Sequence, residues 1–246
     1  MWRKAAGYAA AAVALLVLWW LAALALNTPA LPLPISVVSQ PGLLFNAAMG
    51  RHFGVSLYRV ASGLLLGTAI GLPLGLILGR EHALDRISAP LIFITYPIPK
   101  IVFLPILMIV MGLGDGSKIT LITIIVFFQI LVTARDAARA VPEESILSLR
   151  SLGASRWQIY LHSVYPASLP RVFTALRIST GTAIAVLFLT ETFATQEGLG
   201  YVILSAWSSL DYTRMFAAIL ALGIMGVLIF ESLGFAERKL CPWETK

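Results

Sequence analysis

One cysteine, three histidines and twelve acidic side chains in 246 residues leave little from which to build a catalytic centre. Cys241 alone cannot close an intrachain disulfide or a thiolate metal cluster. His52, His82 and His162 are scattered, with no HExxH or other ligand-like spacing, so no metal site is expected. No G-x-x-x-x-G-K-[ST] occurs, which excludes ATP hydrolysis by P-loop chemistry. No metal-ligating set and no Ser–His pair stands out that would suit an intramembrane enzyme. Charge is scarce as well: charged residues make up 12% of the chain and hydrophobic ones 59%. A soluble domain could not cover its surface with that, so the apolar excess must face lipid. The net charge of +6 fits the Lys/Arg excess of cytoplasmic membrane loops, and no nucleic-acid partner is implied.

What is present is a series of long apolar runs. Taking about 20 apolar residues as one crossing, six spans are expected near 5–26, 56–79, 87–112, 117–134, 172–193 and 214–235. The first, Ala5–Leu26, follows Arg3 and Lys4 and is longer than a signal-peptide core, so it is read as a retained span. Between the first two lies the Pro-rich NTPALPLPISVVSQPG, followed by LLFNAAMGRHF, which can form a short interfacial helix. The organisation expected is residues 1–55, a first transmembrane helix with a periplasmic segment, a five-helix core over 56–235, and a tail over 236–246. With both termini inside, twelve Lys/Arg fall on inner segments and three on outer ones, Arg51, Lys118 and Arg214. That asymmetry is the positive-inside pattern of a multi-pass membrane protein with both termini cytoplasmic.

The stretch over 140–170 is too long for an ordinary helix connection. Pro142 with Glu143 and Glu144 reads as a helix start, with acids near the positive end of the dipole. Ile146, Leu149 and Leu152 give one apolar edge; Gly153 interrupts, and Ser155 can cap a second helix. There Trp157, Tyr160, Leu161 and Val164 follow i, i+3, i+4, i+7. Pro166 and Pro170 are expected to end this helix and set the path into the fifth span. Both an amphipathic hairpin on the inner leaflet and a docking element for a soluble partner fit this pattern.

GASRWQIYLHSVYPASLP, residues 153–170, resembles the EAA loop of binding-protein-dependent ABC transporter permeases, with Gly153, Pro166 and Pro170 at that loop's fixed glycine and prolines. SLYRVASGLLLGTAIGLPLGLILGR (56–80), YPIPKIVFLPILMIVMGLGDGSK (96–118) and TETFATQEGLGYVI (190–203) resemble the taurine, aliphatic-sulfonate and nitrate/bicarbonate importer permeases, in order and at proper spacing. The resemblance covers the chain from Ser56 onward. It departs at the loop's acidic opening, where Leu147-Ser148-Leu149 stand and Glu143 and Glu144 lie four and three residues too early.

The resemblance implies an all-α type I ABC importer permease fold, about six transmembrane helices carrying a cytoplasmic coupling helix. It implies ATPase docking through Glu144, Leu147, Leu149, Arg150, Gly153, Ala154, Ser155, Arg156, Trp157, Tyr160, Leu161, Pro166 and Pro170. It also implies partners: two ABC ATPase subunits that hold the ATP and Mg, a second and identical permease copy, a periplasmic or lipid-anchored solute-binding protein, and membrane lipid. No cofactor is expected in this chain. The solute would be small: a sulfonate, nitrate or bicarbonate, or a heterocyclic precursor. A membrane-embedded scaffold or receptor that recruits a soluble partner without transport is the alternative.

Candidate pathway residues follow from the cost of polar groups in lipid. Gly63, Gly67, Gly71 and Gly75 recur at fours and read as a close-packing stripe in a helix that Pro73 would kink. A helix cannot run regularly through Pro97-Ile98-Pro99, and broken backbone at membrane depth must be satisfied by protein or water. Lys100 follows at once, either facing a cavity or paired with a carboxylate. Tyr96, Pro97, Pro99, Lys100, Arg177 and Glu191 are the candidates. Arg177 can instead snorkel to the inner interface, Arg59 is read as interfacial, and Glu191 can pair with Lys100 or Arg214 or line an outer gate.

Overall fold

The computed structural model describes residues 2–40, 46–193 and 195–244, with side chains from Ala10 onward. Every regular element among them is helical. In chain order these are α1 (Trp2–Leu26), α2 (Pro34–Val38), α3 (Ala47–Arg80), α4 (His82–Thr95), a 3-10 turn (Lys100–Phe103), α5 (Leu104–Met111) and α6 (Asp115–Arg139). They continue as α7 (Glu143–Ser151), α8 (Arg156–Ile159), a π turn (Tyr160–Val164), α9 (Tyr165–Thr192), α10 (Leu199–Ser208) and α11 (Tyr212–Leu240).

Four described helical runs are long and apolar enough to cross a membrane: α3, α6, Arg156–Thr192 and α11. A fifth crossing is broken. α4 and the helical stretch Lys100–Met111 meet at 83°, with the break at the predicted Pro97-Ile98-Pro99. The part of α1 whose side chains are described, Ala10–Leu26, is apolar but shorter than a full crossing, so six expected spans become four or five among the described residues. The interfacial helix expected over LLFNAAMGRHF lies partly on Leu43–Phe45, outside the described residues; the remainder is the first turns of α3. There Asn46 caps the helix, its Oδ1 accepting from Met49 N–H at 2.6 Å.

Two compact units are present. The first comprises residues up to Ser56 together with Glu191–Ile224, and the second Leu57–Thr190 with Met225 onward. In the first, Trp19 stacks on Phe216 with ring centroids 5.2 Å apart. In the second, α3 lies directly on α6 through the glycine stripe. A Cβ at Gly67 would stand 2.8 Å from Val126 Cβ, one at Gly71 2.9 Å from Phe127 O, and one at Gly75 2.5 Å from Leu131 O. Gly79, one step further along, meets Arg135 O and Ala138 in the same way, so the stripe is longer than the four glycines singled out from sequence. Lipid tails are as apolar as leucine, so close backbone approach and dispersion, rather than escape from water, hold such helices together. At the far end of α11, Cys241 is buried, and burial with the Glu237 and Glu244 carboxylates pushes its thiol pKa up.

The stripe gives a paired prediction. Gly75→Ala drives a methyl onto a backbone carbonyl, which cannot swing aside as a side chain can, and should cost about 1–3 kcal/mol. Gly50→Ala in the same helix meets nothing within 4 Å and should be neutral or stabilise by up to about 1 kcal/mol. Thermal unfolding of both variants in detergent checks the opposite signs.

Candidate functional site

The 140–170 segment is two short helices joined by one turn and fused to a span. α7 begins at Glu143 behind Pro142, with Glu143 and Glu144 in its first turn, as the sequence suggests. Gly153 makes the turn at φ 80°, a left-handed conformation that favours glycine. Ser155 then forms a capping box: its Oγ accepts from Gln158 N–H while Gln158 Oε1 accepts from Ser155 N–H at 2.8 Å. The prolines depart from expectation, because Pro166 and Pro170 do not end the helix. The chain is helical from Arg156 to Thr192 without interruption. The π turn explains how: Tyr165 N–H donates to Tyr160 O, five residues back, and this widened turn comes directly before the residue that has no N–H to give.

The apolar edges of this segment are shared between the protein and its surroundings. Ile146 is buried, Leu149 half-buried and Leu152 84% exposed; likewise Trp157 is 73% exposed, Leu161 exposed, Tyr160 half-buried and Val164 buried. Trp157, Tyr160, Leu161 and Tyr165 face a cavity of about 510 Å³ whose other wall is Leu72, Pro73, Leu76, Ile77 and Glu81 of α3 and its end. Ile146 and Val164, the buried members of the two edges, fasten the segment to the spans, while Leu152, Trp157 and Leu161 stay exposed. Further fastening is polar: Arg80 pairs with Glu143 at 3.2 Å, and Tyr160 Oη donates to Glu81 Oε1 at 3.4 Å. Leu147, Leu152, Arg150, Arg156 and Glu144 remain exposed, as do Gly153 and Ser155; Ala154, Pro166 and Pro170 are half-buried.

The second group of candidates does not assemble into one site. Lys100 sits on the bend and lines a cavity of about 320 Å³ with Tyr96, Pro97, Pro99, Phe128, Gln129 and Thr182 among its walls. Its Nζ donates to Thr95 O at 2.8 Å and to Tyr96 O, and lies 4.7 Å from the Phe128 ring centroid. Among the described residues no carboxylate pairs with it. Arg177 is elsewhere, held by both Glu237 oxygens at 2.5 and 3.3 Å and placed over Phe230. Arg59 is buried against the protein, with Nε 2.7 Å from Asp115 Oδ1 in the first turn of α6.

Glu191 is fully buried, and it bonds a backbone N–H and a hydroxyl. Ser56 Oγ lies 2.8 Å from both carboxylate oxygens, Gly200 N–H donates at 2.9 Å, and Leu199 N–H donates to Ser56 Oγ at 2.8 Å. The carboxylate thus sits on the N-terminus of α10, where helix N–H groups lack internal acceptors. Gly198 precedes it at φ 113°, and any Cβ there would collide with the Glu191 carboxyl. This is a fastening of α10; no gate-lining surface of Glu191 is left exposed.

Sequence reasoning missed one buried charge cluster. Asp85 and Arg135 are each 5% exposed, joined through Arg135 Nε and Nη2, with Arg139 Nη2 3.1 Å from Asp85 Oδ2. The two arginines had counted only as inner-loop charge. An acid facing α6 from the start of α4 was the available signal.

Residues 71–240 match the family of binding-protein-dependent transport system inner membrane components. The chain belongs to that family. It is 32% identical to the taurine transport system permease protein TauC of Escherichia coli K12 over 93% of this chain and 86% of that protein. It is 27% identical to the nitrate import permease protein NrtB of Synechocystis over 96% and 90%, and 28% identical to the formylaminopyrimidine transport permease protein ThiX of Halalkalibacterium halodurans over 94% and 93%. Among solved structures, a chain of the inward-facing MetNI methionine ABC transporter superposes with a TM-score of 0.67 at 22% identity, covering 78% of this chain and 96% of that one, a likeness of fold. This ABC importer permease is therefore an all-helical, multi-pass inner-membrane protein of solute import.

Two predictions follow from the fastenings. Glu191→Ala strands Ser56 Oγ and Gly200 N–H in the interior, at about 1–3 kcal/mol each; unfolding in detergent should show the loss, with Glu191→Gln intermediate because it keeps one acceptor. Arg177→Ala and Glu237→Ala should be non-additive by about 0.5–3 kcal/mol in a double-mutant cycle.

Proposed function

We propose that this permease docks a separate ATPase through residues 143–170 and passes a small solute beside the bend at Pro97–Pro99. The observation that carries the docking is the unbroken helix from α8 into α9. A displacement imposed on Trp157 reaches a membrane span without crossing a loop. The exposed apolar residues Leu152, Trp157, Leu147 and Leu161 supply what a groove on a soluble partner would take up. ATP and Mg belong to that partner, since this chain has no P-loop. The permease works as a pair of identical copies, its termini on the ATPase side and a solute-binding protein on the other.

Transport is a population shift between outward and inward arrangements, biased by ATP binding to one of them. Tyr96, Pro97, Pro99 and Lys100 line the path; Arg177 and Glu191 serve it indirectly by fixing α9, α10 and α11. The relatives named for taurine, nitrate and formylaminopyrimidine favour a small polar solute.

The test is co-purification with a co-expressed ABC ATPase of the kind that serves such permeases. Leu152→Glu and Trp157→Glu should each lower recovery of the ATPase at least about tenfold, a loss of about 1.4 kcal/mol or more. Ile109→Ala, at an 84% exposed position on α5, should leave it unchanged. Undiminished recovery with both glutamate variants would sink the docking assignment.

A further inference from the structure

The cavity of about 510 Å³ beside the docking segment is walled almost wholly by hydrocarbon, Leu72, Leu76 and Ile77 on one side and Trp157, Leu161 and Tyr165 on the other. It runs along the bilayer normal rather than across the surface. Leu72 lies eight residues before Arg80, the last residue of α3, which is about 12 Å at 1.5 Å per residue. Tyr165 lies nine residues beyond Arg156 on the facing helix. A soluble partner that meets the exposed sides of Trp157 and Leu161 would have to enter hydrocarbon to reach Leu72. A helix of a second copy, about 10 Å across over that depth, would displace roughly 900 Å³, well above the space present. A single hydrocarbon chain suits both the depth and the width.

At the mouth of this slot the chemistry changes. Tyr160 Oη donates to Glu81 Oε1 at 3.4 Å, and the charges of Glu81, Arg80 and Arg156 all act on that hydroxyl. Glu81 Oε2 accepts no hydrogen bond among the described residues, and Arg156 is exposed without an ion-pair partner there. Arg80 keeps one contact, to the exposed Glu143 at 3.2 Å, a pairing that solvent makes weak. One acid and two bases thus stand around the opening. A purely anionic head would meet the Glu81 carboxylate with like charge. A head that carries a phosphate and a primary ammonium a few atoms apart answers both signs, since the ammonium donates to a carboxylate and the phosphate accepts from guanidinium. A quaternary ammonium has no N–H to give, and a glycerol head has no cation.

We propose that this cavity holds one acyl chain of a phosphatidylethanolamine molecule, with the lipid ammonium at Glu81 and its phosphate at Arg156 and Arg80. The chain gains little by leaving bulk lipid for an apolar slot, so the head group selects the lipid and the slot selects its position. The lipid fills the space between α3 and the helix that continues from the docking segment. The site goes beyond the transport reading and stands whether or not an ATPase docks nearby.

The experiment places the full chain in phosphatidylcholine nanodiscs with a trace of phosphatidylethanolamine that carries a diazirine on one acyl chain. After irradiation, labelled positions are mapped by mass spectrometry. Label on residues 72–77 and 157–165 should exceed that on the exposed apolar stretch 106–111 of α5 by at least about tenfold. Unlabelled phosphatidylethanolamine should compete, and phosphatidylglycerol should not. Ile77→Trp, which fills the slot, should remove the excess. Glu81→Gln keeps an acceptor for Tyr160 but loses the charge, and should raise the phosphatidylethanolamine fraction needed for half-competition about tenfold, the worth of one charge-assisted hydrogen bond. Ile87→Trp, at a 72% exposed position on α4, should change neither reading. Label spread evenly over the exposed apolar surface, equal competition by phosphatidylglycerol, or an unchanged midpoint in Glu81→Gln overturns the site. So does absence of label at 72–77 together with copy-to-copy crosslinks from a photoreactive residue in place of Ile77, which would give the slot to a second permease.

Discussion

Inside a bilayer an apolar side chain gains almost nothing by leaving lipid for protein, so helices associate only where their backbones can come close. That constraint is met in the second unit by five glycines, Gly63 to Gly79, lying along α6. Two polar features there depend on this contact. Arg135 and Ala138 sit on the part of α6 that Gly79 touches, and Arg135 is the residue that holds Asp85. Phe128 and Gln129, on the same helix, form one wall of the Lys100 cavity. Moving α6 outward by the width of a methyl group would disturb the ion cluster and the cavity wall together.

The second constraint is the balance of buried charge. A lysine or arginine counted along a membrane sequence looks like a marker of orientation. In three dimensions several of these groups are interior components. Arg59 and Arg135 are each paired with an aspartate, and Lys118, counted as outer-loop charge, is fully buried with Nζ 2.6 Å from Leu113 O. The twelve-to-three asymmetry would survive moving Arg135 and Lys118 out of the count, because it does not rest on either residue.

The features legible in the sequence were those encoded within a few residues. Pro97-Ile98-Pro99 forbids a regular helix wherever it occurs, and the chain bends by 83° there. Ser155 and Gln158 stand at capping-box spacing and form the box. The glycine stripe needed only a count of fours, although the helix it met could not be named. Contacts that join distant positions left no comparable mark: Asp85 and Arg135 are 50 residues apart, and Ser56 and Glu191 are 135 apart. Pro166 misled for a different reason. Proline normally stops a helix because an α turn cannot accommodate its ring and missing donor, but a π turn placed before it can.

That π turn also fixes a phase. Between Tyr160 and Val164 the chain uses one residue more than an α-helix would to make its turn. Each residue in an α-helix advances the side-chain direction by about 100°. The widened turn absorbs the surplus residue, so the side chains on either side keep nearly the directions they would have in a regular helix one residue shorter. Straightening the turn to α geometry with every residue kept would instead rotate Trp157, Gly153 and all of α7 by roughly that angle about the axis of α9. The side of the molecule to which the exposed leucines point is thus held by the width of a single turn.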